Sequence, residues 1–167
     1  ITSNIEHHAV ENSFKRLERE GFEVTEVPVN TKGLIEVSAV ENAIREDTIL
    51  ISIMHVNNEI GTIQPIEEIA RIASKKDIIF HTDAVQSFAK LPIDVSKTPI
   101  DLLSASSHKI YGPKGVGLLY MKNKGRHAKY GRYIEPIQYG GGHEFGYRPS
   151  TENVPGIVGI AEATVLA

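Results

Sequence analysis

The sequence predicts an α/β protein built on a largely parallel sheet. Three observations carry this expectation. Short β-rich apolar runs alternate with amphipathic helical stretches, the pattern of strands joined by helical crossovers. The run 48–56 is apolar almost throughout, as strands buried on both faces are. Polar residues cluster just past the ends of three predicted strands: Asn57 and Asn58, then Asp83 and Gln86, then Ser106, His108 and Lys109. Open α/β sheets hold ligands at that edge.

Each element has a local reason. Ile1 opens on a strand-like segment. Residues 9–20 read as a helix, because Val10, Phe14 and Leu17 recur at helical spacing and Gly21 ends the pattern. Residues 22–29 alternate and are β-rich, so they predict a strand. Residues 30–33 form a turn, 34–37 a short strand, and Ser38 caps a helix to about Arg45. A helix follows over 65–75, with Pro65 in its first turn. Residues 78–81, 101–105 and 116–121 read as further strands, and 83–88 as a turn or helix start. Residues 122–139 are polar and irregular, and 159–167 show an apolar helical pattern.

Bulk properties narrow the class. A chain of 167 residues is long enough for one domain with a substantial core. At 41% hydrophobic and 23% charged it is globular rather than disordered. A net charge of -3 offers no basic field for nucleic acid. No apolar run approaches the ~20 residues that span a bilayer, so a soluble cytoplasmic protein is the expectation. There is no cysteine, hence no disulfide from which to read a redox compartment. The chain starts without methionine and stops on a helical pattern with no stop signal, so it reads as a piece of a larger protein. A natural small domain is the alternative.

The segment Ser106-Ser107-His108-Lys109-Ile110-Tyr111-Gly112-Pro113-Lys114-Gly115 is the most informative. A lysine at the end of a buried strand is expensive unless neutralised, paired or bonded. A Schiff base with an aldehyde cofactor removes that cost and puts the amine to work. Judged alone, Lys109 is better read as a surface lysine on a turn, like Lys114; the surrounding motifs favour the functional reading. Asp83 suits a helix N-cap, and Gln86 lies one helical turn beyond it. His81 and Asp83 are two metal-ligand types without a third, which is weak evidence for a metal. The tandem Asn57-Asn58 suits a turn. His7 carries an imidazole, a side chain able to assist proton transfer. Residues 111–117 are not a P-loop, because no Gly-Lys-Ser/Thr follows.

Further strings extend the pattern: Glu6-His7-His8-Ala9-Val10, Asn57-Asn58-Glu59-Ile60-Gly61, His81-Thr82-Asp83-Ala84-Val85-Gln86-Ser87, Gly140-Gly141-Gly142-His143-Glu144 and Arg148-Pro149-Ser150-Thr151-Glu152-Asn153-Val154-Pro155-Gly156. In this order they resemble the cysteine desulfurases of the NifS and IscS type, which are fold-type-I pyridoxal-phosphate enzymes. The resemblance runs over essentially the whole chain. It implies a three-layer sandwich with a mostly parallel sheet. Residues 1–167 would be the central part of the large, cofactor-binding domain. The N-terminal segment and the C-terminal small domain with the catalytic cysteine would lie outside it.

The resemblance also implies roles. Lys109 would hold pyridoxal 5'-phosphate as a Schiff base and, once displaced by substrate, move protons. Asp83 would keep the pyridine nitrogen protonated, making the ring a better electron sink. Gln86 would bond the phenolic oxygen, with Asn58 on the same side of the ring. His7 would stack on the ring and assist proton transfer. Ser106 and His108 would hold the phosphate, and Thr151 would reach the phosphate of the neighbouring subunit of a homodimer. No metal is implied. The whole enzyme would convert L-cysteine to L-alanine and pass sulfur, through an enzyme persulfide, to an acceptor such as an iron–sulfur scaffold protein or a tRNA-thiolation partner.

Some features depart from the family. The reactive cysteine and the substrate-carboxylate arginine have no counterpart here. Arg148-Pro149-Ser150-Thr151 differs from the commoner Arg-Ser-Gly-Thr, and Pro149 stiffens a loop that usually has glycine freedom. Other readings are another fold-type-I enzyme, such as a selenocysteine lyase, another β-lyase or an aminotransferase, and a non-enzymatic fragment that dimerises or docks a partner. The strings 57–61 and 148–156 favour the desulfurase.

Overall fold

The computed structural model describes residues 1–125 and 134–167. In chain order the elements are β1 (Thr2–Ser3), α1 (His8–Arg19), β2 (Glu26–Val27), α2 (Val37–Ala43), β3 (Leu50–Ser52), α3 (Ile66–Lys75), β4 (Ile79–Asp83), β5 (Leu102–Ser106), β6 (Gly117–Met121) and α4 (Val154–Leu166). A 3-10 turn, Ser107–Ile110, follows β5 directly. The strands form one sheet in the order β2-β1-β3-β4-β5-β6. All pairings are parallel except β5 with β6.

The helices bury the faces their spacing dictates. Phe14 is the buried residue of α1, and the helix ends before Gly21, whose φ of +94° suits glycine. On α3 the residues Ile66, Ile69, Ala70 and Ala73 face inward. They pack with Val40 of α2 against Ile51, Phe80 and Leu103, which alternate along β3, β4 and β5. Glu67 and Glu68 sit in the first turn of α3 and Lys75 in its last, each complementing the helix dipole.

The connections run in opposite directions. From β1 the chain steps one way to β2; from β2 to β3 and from β3 to β4 it steps the other way. Right-handed crossovers therefore put α1 on the opposite sheet face from α2 and α3. Phe14 accordingly lies outside the core cluster that α2 and α3 build. This makes three layers. It also puts a topological switch between β1 and β3, where a crevice opens at the carboxyl ends of the strands.

Several elements differ from expectation for identifiable reasons. The strand expected over 22–29 shrinks to β2, because Pro28 has no N–H for a ladder. The short strand expected over 34–37 is a single antiparallel bridge, Val29 to Ile35. Helix α2 begins at Val37 with Glu36 as its N-cap, not with a Ser38 cap. The Glu36 carboxylate accepts from Asn30 Nδ2 at 2.7 Å and makes no cap bond. Of the two expectations for the segment after Asp83, a turn or a helix start, the structure has the turn, with Ala89 at φ +59°. β6 returns antiparallel, since the link from 107 to 116 is too short for a crossover. Of the expected loop 122–139, residues 126–133 lie outside the described residues. Among the described residues no helix is long and apolar enough to cross a membrane.

Candidate functional site

Four parallel strands deliver polar residues to one sheet edge. Glu6 and His7 follow β1, Asn57 and Asn58 follow β3, Asp83 ends β4, and Ser106, His108 and Lys109 end or follow β5. Asp83 is in register with Ser104, two residues before Ser106. The strand-end expectation is thus met by the chain's topology.

Around the switch, long-range bonds tie β1's exit to β3's. Glu6 Oε1 accepts from the Ser3 hydroxyl at 2.5 Å and from the Met54 N–H at 2.9 Å. Asn57 Nδ2 donates to the Ile5 carbonyl at 2.9 Å, while its Oδ1 accepts from the N–H groups of Glu59 and Ile60. These contacts frame a cavity of about 330 Å³ whose lining includes Glu6, His7, Asn57 and Asn58. Asn58 is exposed to it, whereas Asn57 is buried. Glu6 Oε2 is buried without a hydrogen-bond partner. Burial raises the Glu6 carboxyl to about 7; the bonds from Ser3 and Met54 oppose this, and the charge of Asp83 adds to it.

His7 does double duty. It is exposed, and its Nδ1 accepts from the Ala9 N–H at 3.1 Å as the N-cap of α1. In the neutral ring the proton then sits on Nε2. His8 instead bonds Glu11 at 2.8 Å and points along the helix surface.

Asp83 is buried, and its Oδ1 accepts from the Val85 N–H at 2.9 Å. It therefore caps a turn with one oxygen and leaves Oδ2 for a ligand. Two residues earlier on the same sheet face, His81 bridges Ser52 at 2.7 Å and Ser104 at 2.9 Å. That ladder crosses β3, β4 and β5. Burial pushes the His81 imidazole down to about 4, with Asp83 opposing, so at neutral pH it is an uncharged strut. Gln86 is half-buried among the turns that follow. Among the described residues no group of acidic, histidine or cysteine side chains is arranged to hold a metal ion.

Lys109 departs from expectation in one respect. It is exposed on the 3-10 turn, beyond the last residue of β5. The burial cost expected of a strand-end lysine therefore does not arise. Beside it Ser106 Oγ and His108 Nδ1 lie 2.9 Å apart, so the two expected phosphate ligands converge. Thr151 is exposed on the loop before α4. That loop is shaped by Arg148, which donates to the carbonyls of Pro149 and Ser150 at 2.7 and 2.8 Å. Its strain falls on Ser150, at φ +76°, and not on Pro149. A left-handed serine costs about 1 kcal/mol, which a glycine there would avoid.

Sequence reasoning gave Glu6 no role, read Asn57 as part of a strand-end turn and His81 only as half of a weak metal pair. Each stood in a quoted string, but their signal is burial, which depends on partners distant in the chain.

Comparison with known proteins fits this geometry. Residues 1–166 match the class-V aminotransferase family. "Cysteine desulfurase IscS" of Methanosarcina thermophila is 55% identical over 167 residues, which are 100% of this chain and 40% of that protein. The solved structure of "SspA in complex with cysteine" superposes with a TM-score of 0.92 at 50% identity, covering 98% of this chain and 46% of that one. A "NIFS-LIKE PROTEIN" gives 0.91 at 45% identity, covering 99% and 44%. The chain thus spans less than half the length of these relatives. With residues 1–166 matched to the family and its fold shared with these solved structures, the chain belongs to the class-V aminotransferase family, a pyridoxal-phosphate-dependent one.

Proposed function

We propose that this chain is the central, cofactor-holding part of a cysteine desulfurase that converts L-cysteine to L-alanine and passes the sulfur to an acceptor. The observation that carries the reading is the convergence of Asp83, Ser106, His108 and Lys109 at adjacent strand ends, beside His7 and Asn58 across the switch.

The residues present fit pyridoxal phosphate by their chemistry. When bound, that cofactor supplies an aldehyde for amines and a ring that stores an electron pair. Asp83 has Oδ2 available to hold a proton on the ring nitrogen. His108 donating Nδ1–H to Ser106 Oγ frees the Ser106 O–H for a phosphate oxygen. His7 is locked by its Nδ1 bond, so it offers a ring face and an exchangeable proton at Nε2. Gln86 and Asn58 orient the ring through their amides. The Lys109 amine would hold the cofactor's aldehyde and, when free, would take and return a proton at Nζ. Thr151 is exposed on the loop before α4, free to reach a second subunit of a homodimer. The chain holds no cysteine, so the thiol that receives sulfur belongs to another segment or molecule. An iron–sulfur scaffold protein is the proposed final acceptor.

The test is made on the full-length protein. Pyridoxal phosphate is added, the visible band recorded, borohydride applied and the labelled peptide mapped. A label on Lys109, absent in Lys109→Ala, together with alanine and sulfide formed from cysteine, is the expected result. A label elsewhere sinks the assignment, and transamination without sulfide favours the aminotransferase reading.

A further inference from the structure

We propose that α4 is the seat that sets the height of the Lys109 loop, with Gly159 and Pro113 as positioning residues. The inference rests on Lys109 being the cofactor lysine. The loop 107–116 is closed on itself: the Ser107 N–H donates to the Val116 carbonyl at 3.1 Å, and the Gly112 N–H donates to the Ser107 carbonyl at 3.0 Å. Ile110 is buried beneath it. Tyr111 turns the chain at φ +63° with its side chain wholly exposed, so the ring does not anchor the turn. A bulky residue persists in that conformation only where its surroundings impose it.

The surroundings are two close approaches to α4. A Cβ on Gly159 would overlap Pro113 Cγ and lie 2.8 Å from its Cδ. A Cβ on Gly112 would overlap the buried, unpartnered Ser107 Oγ and lie 3.1 Å from the Ala163 Cβ. Gly159 and Ala163 are four apart on α4, hence on one face. Neither Gly112 nor Gly159 has a positive φ, so space and not backbone conformation demands glycine. In mid-helix, alanine is the better helix former. Glycine at 159 therefore sacrifices local helix stability and lets Pro113 come within contact. Since Lys109 lies four residues before Pro113 in the same closed loop, the height of Pro113 on α4 is carried to the amine.

The experiment is a double-mutant cycle in the full-length protein. Gly159→Ala, Pro113→Ala and the double variant are compared with wild type. The readouts are the pyridoxal-phosphate dissociation constant from the visible band, the fraction fixed to Lys109 by borohydride, and the melting temperature of the cofactor-free protein. Relieving the overlap needs a shift of about 1 Å, and misplacement of that order weakens a positioned group ~10- to 100-fold. Gly159→Ala is expected to raise the dissociation constant at least ~10-fold and reduce fixation. Pro113→Ala removes Cγ and Cδ and leaves only Cβ, which would stand 3.9 Å from the new methyl. The double variant is therefore expected to bind within ~3-fold of Pro113→Ala alone, a coupling that independent sites do not show. Two results would overturn the inference while wild type still fixes cofactor on Lys109. One is a double variant as impaired as Gly159→Ala. The other is a Gly159→Ala that changes melting without changing affinity. If wild type fixes no cofactor on Lys109, the functional assignment falls, and the inference with it.

Discussion

Replacing Asn57 by alanine separates two adjacent asparagines that look alike in the sequence. Asn57 is 7% exposed and makes three bonds of 2.9, 2.9 and 3.0 Å to backbone groups of Ile5, Glu59 and Ile60. Each such bond contributes about 1 kcal/mol net. Glu59 and Ile60 are exposed, so their N–H groups rehydrate after truncation and incur no full desolvation penalty. The sum for Asn57→Ala is thus about 3 kcal/mol of lost stability. Asn58 makes no comparable bonds and faces the cavity, so Asn58→Ala is expected to stay within ~0.5 kcal/mol. Urea unfolding of the two full-length variants, followed by circular dichroism, measures both. Cofactor titration then completes the contrast. Asn58→Ala should weaken binding in a protein that is fully stable. Asn57→Ala should weaken it by freeing Ile5, and so Glu6 and His7, from β3. Equal stability losses for the two variants, or none for Asn57→Ala, would refute the division of labour.

The remaining predictions concern His7 and two buried titrating groups. His7→Asn keeps an N-cap acceptor and should leave stability unchanged, while His7→Ala should lose about 1 kcal/mol. Both should lose the ring's contribution to the cofactor band, so a band unchanged in position and intensity in both variants contradicts the stacking role. Glu6 titrates near 7 in the folded chain against an ordinary 4.5. Its stabilising contribution is full below 4.5 and disappears as pH rises through about 7. Wild type should therefore lose up to about 3 kcal/mol relative to Glu6→Gln across that window. His81 behaves oppositely: depressed from 6.5 to about 4, its contribution is present above 6.5 and is lost as pH falls through 4. His81→Asn should flatten that acid limb in pH-dependent urea titrations, and an unchanged limb would place the acid sensitivity elsewhere.

What the sequence by itself determined was element type and the order of chemistry along the chain. Helical spacing at Val10, Phe14 and Leu17 marked α1, Pro65 marked the start of α3, and apolar runs marked β3 to β6. The family strings and the strand-end rule brought Asp83, Ser106, His108 and Lys109 to one edge before any coordinates. These signals are local: they depend on periodicities of a few residues and on caps and breakers. Tertiary structure decided what depends on distant partners. The antiparallel return of β6, the exposure of Lys109 and the strain at Ser150 have no local signature. The uncharged state of His81 comes from its burial in the assembled sheet, where Ser52 and Ser104 on the flanking strands supply its hydrogen bonds. The raised titration of Glu6 comes from burial between β1 and β3, and it persists although the Met54 N–H, 48 residues away, opposes it. Burial is a property of the assembled sheet, and burial sets which polar groups hold the fold and which are left free for chemistry.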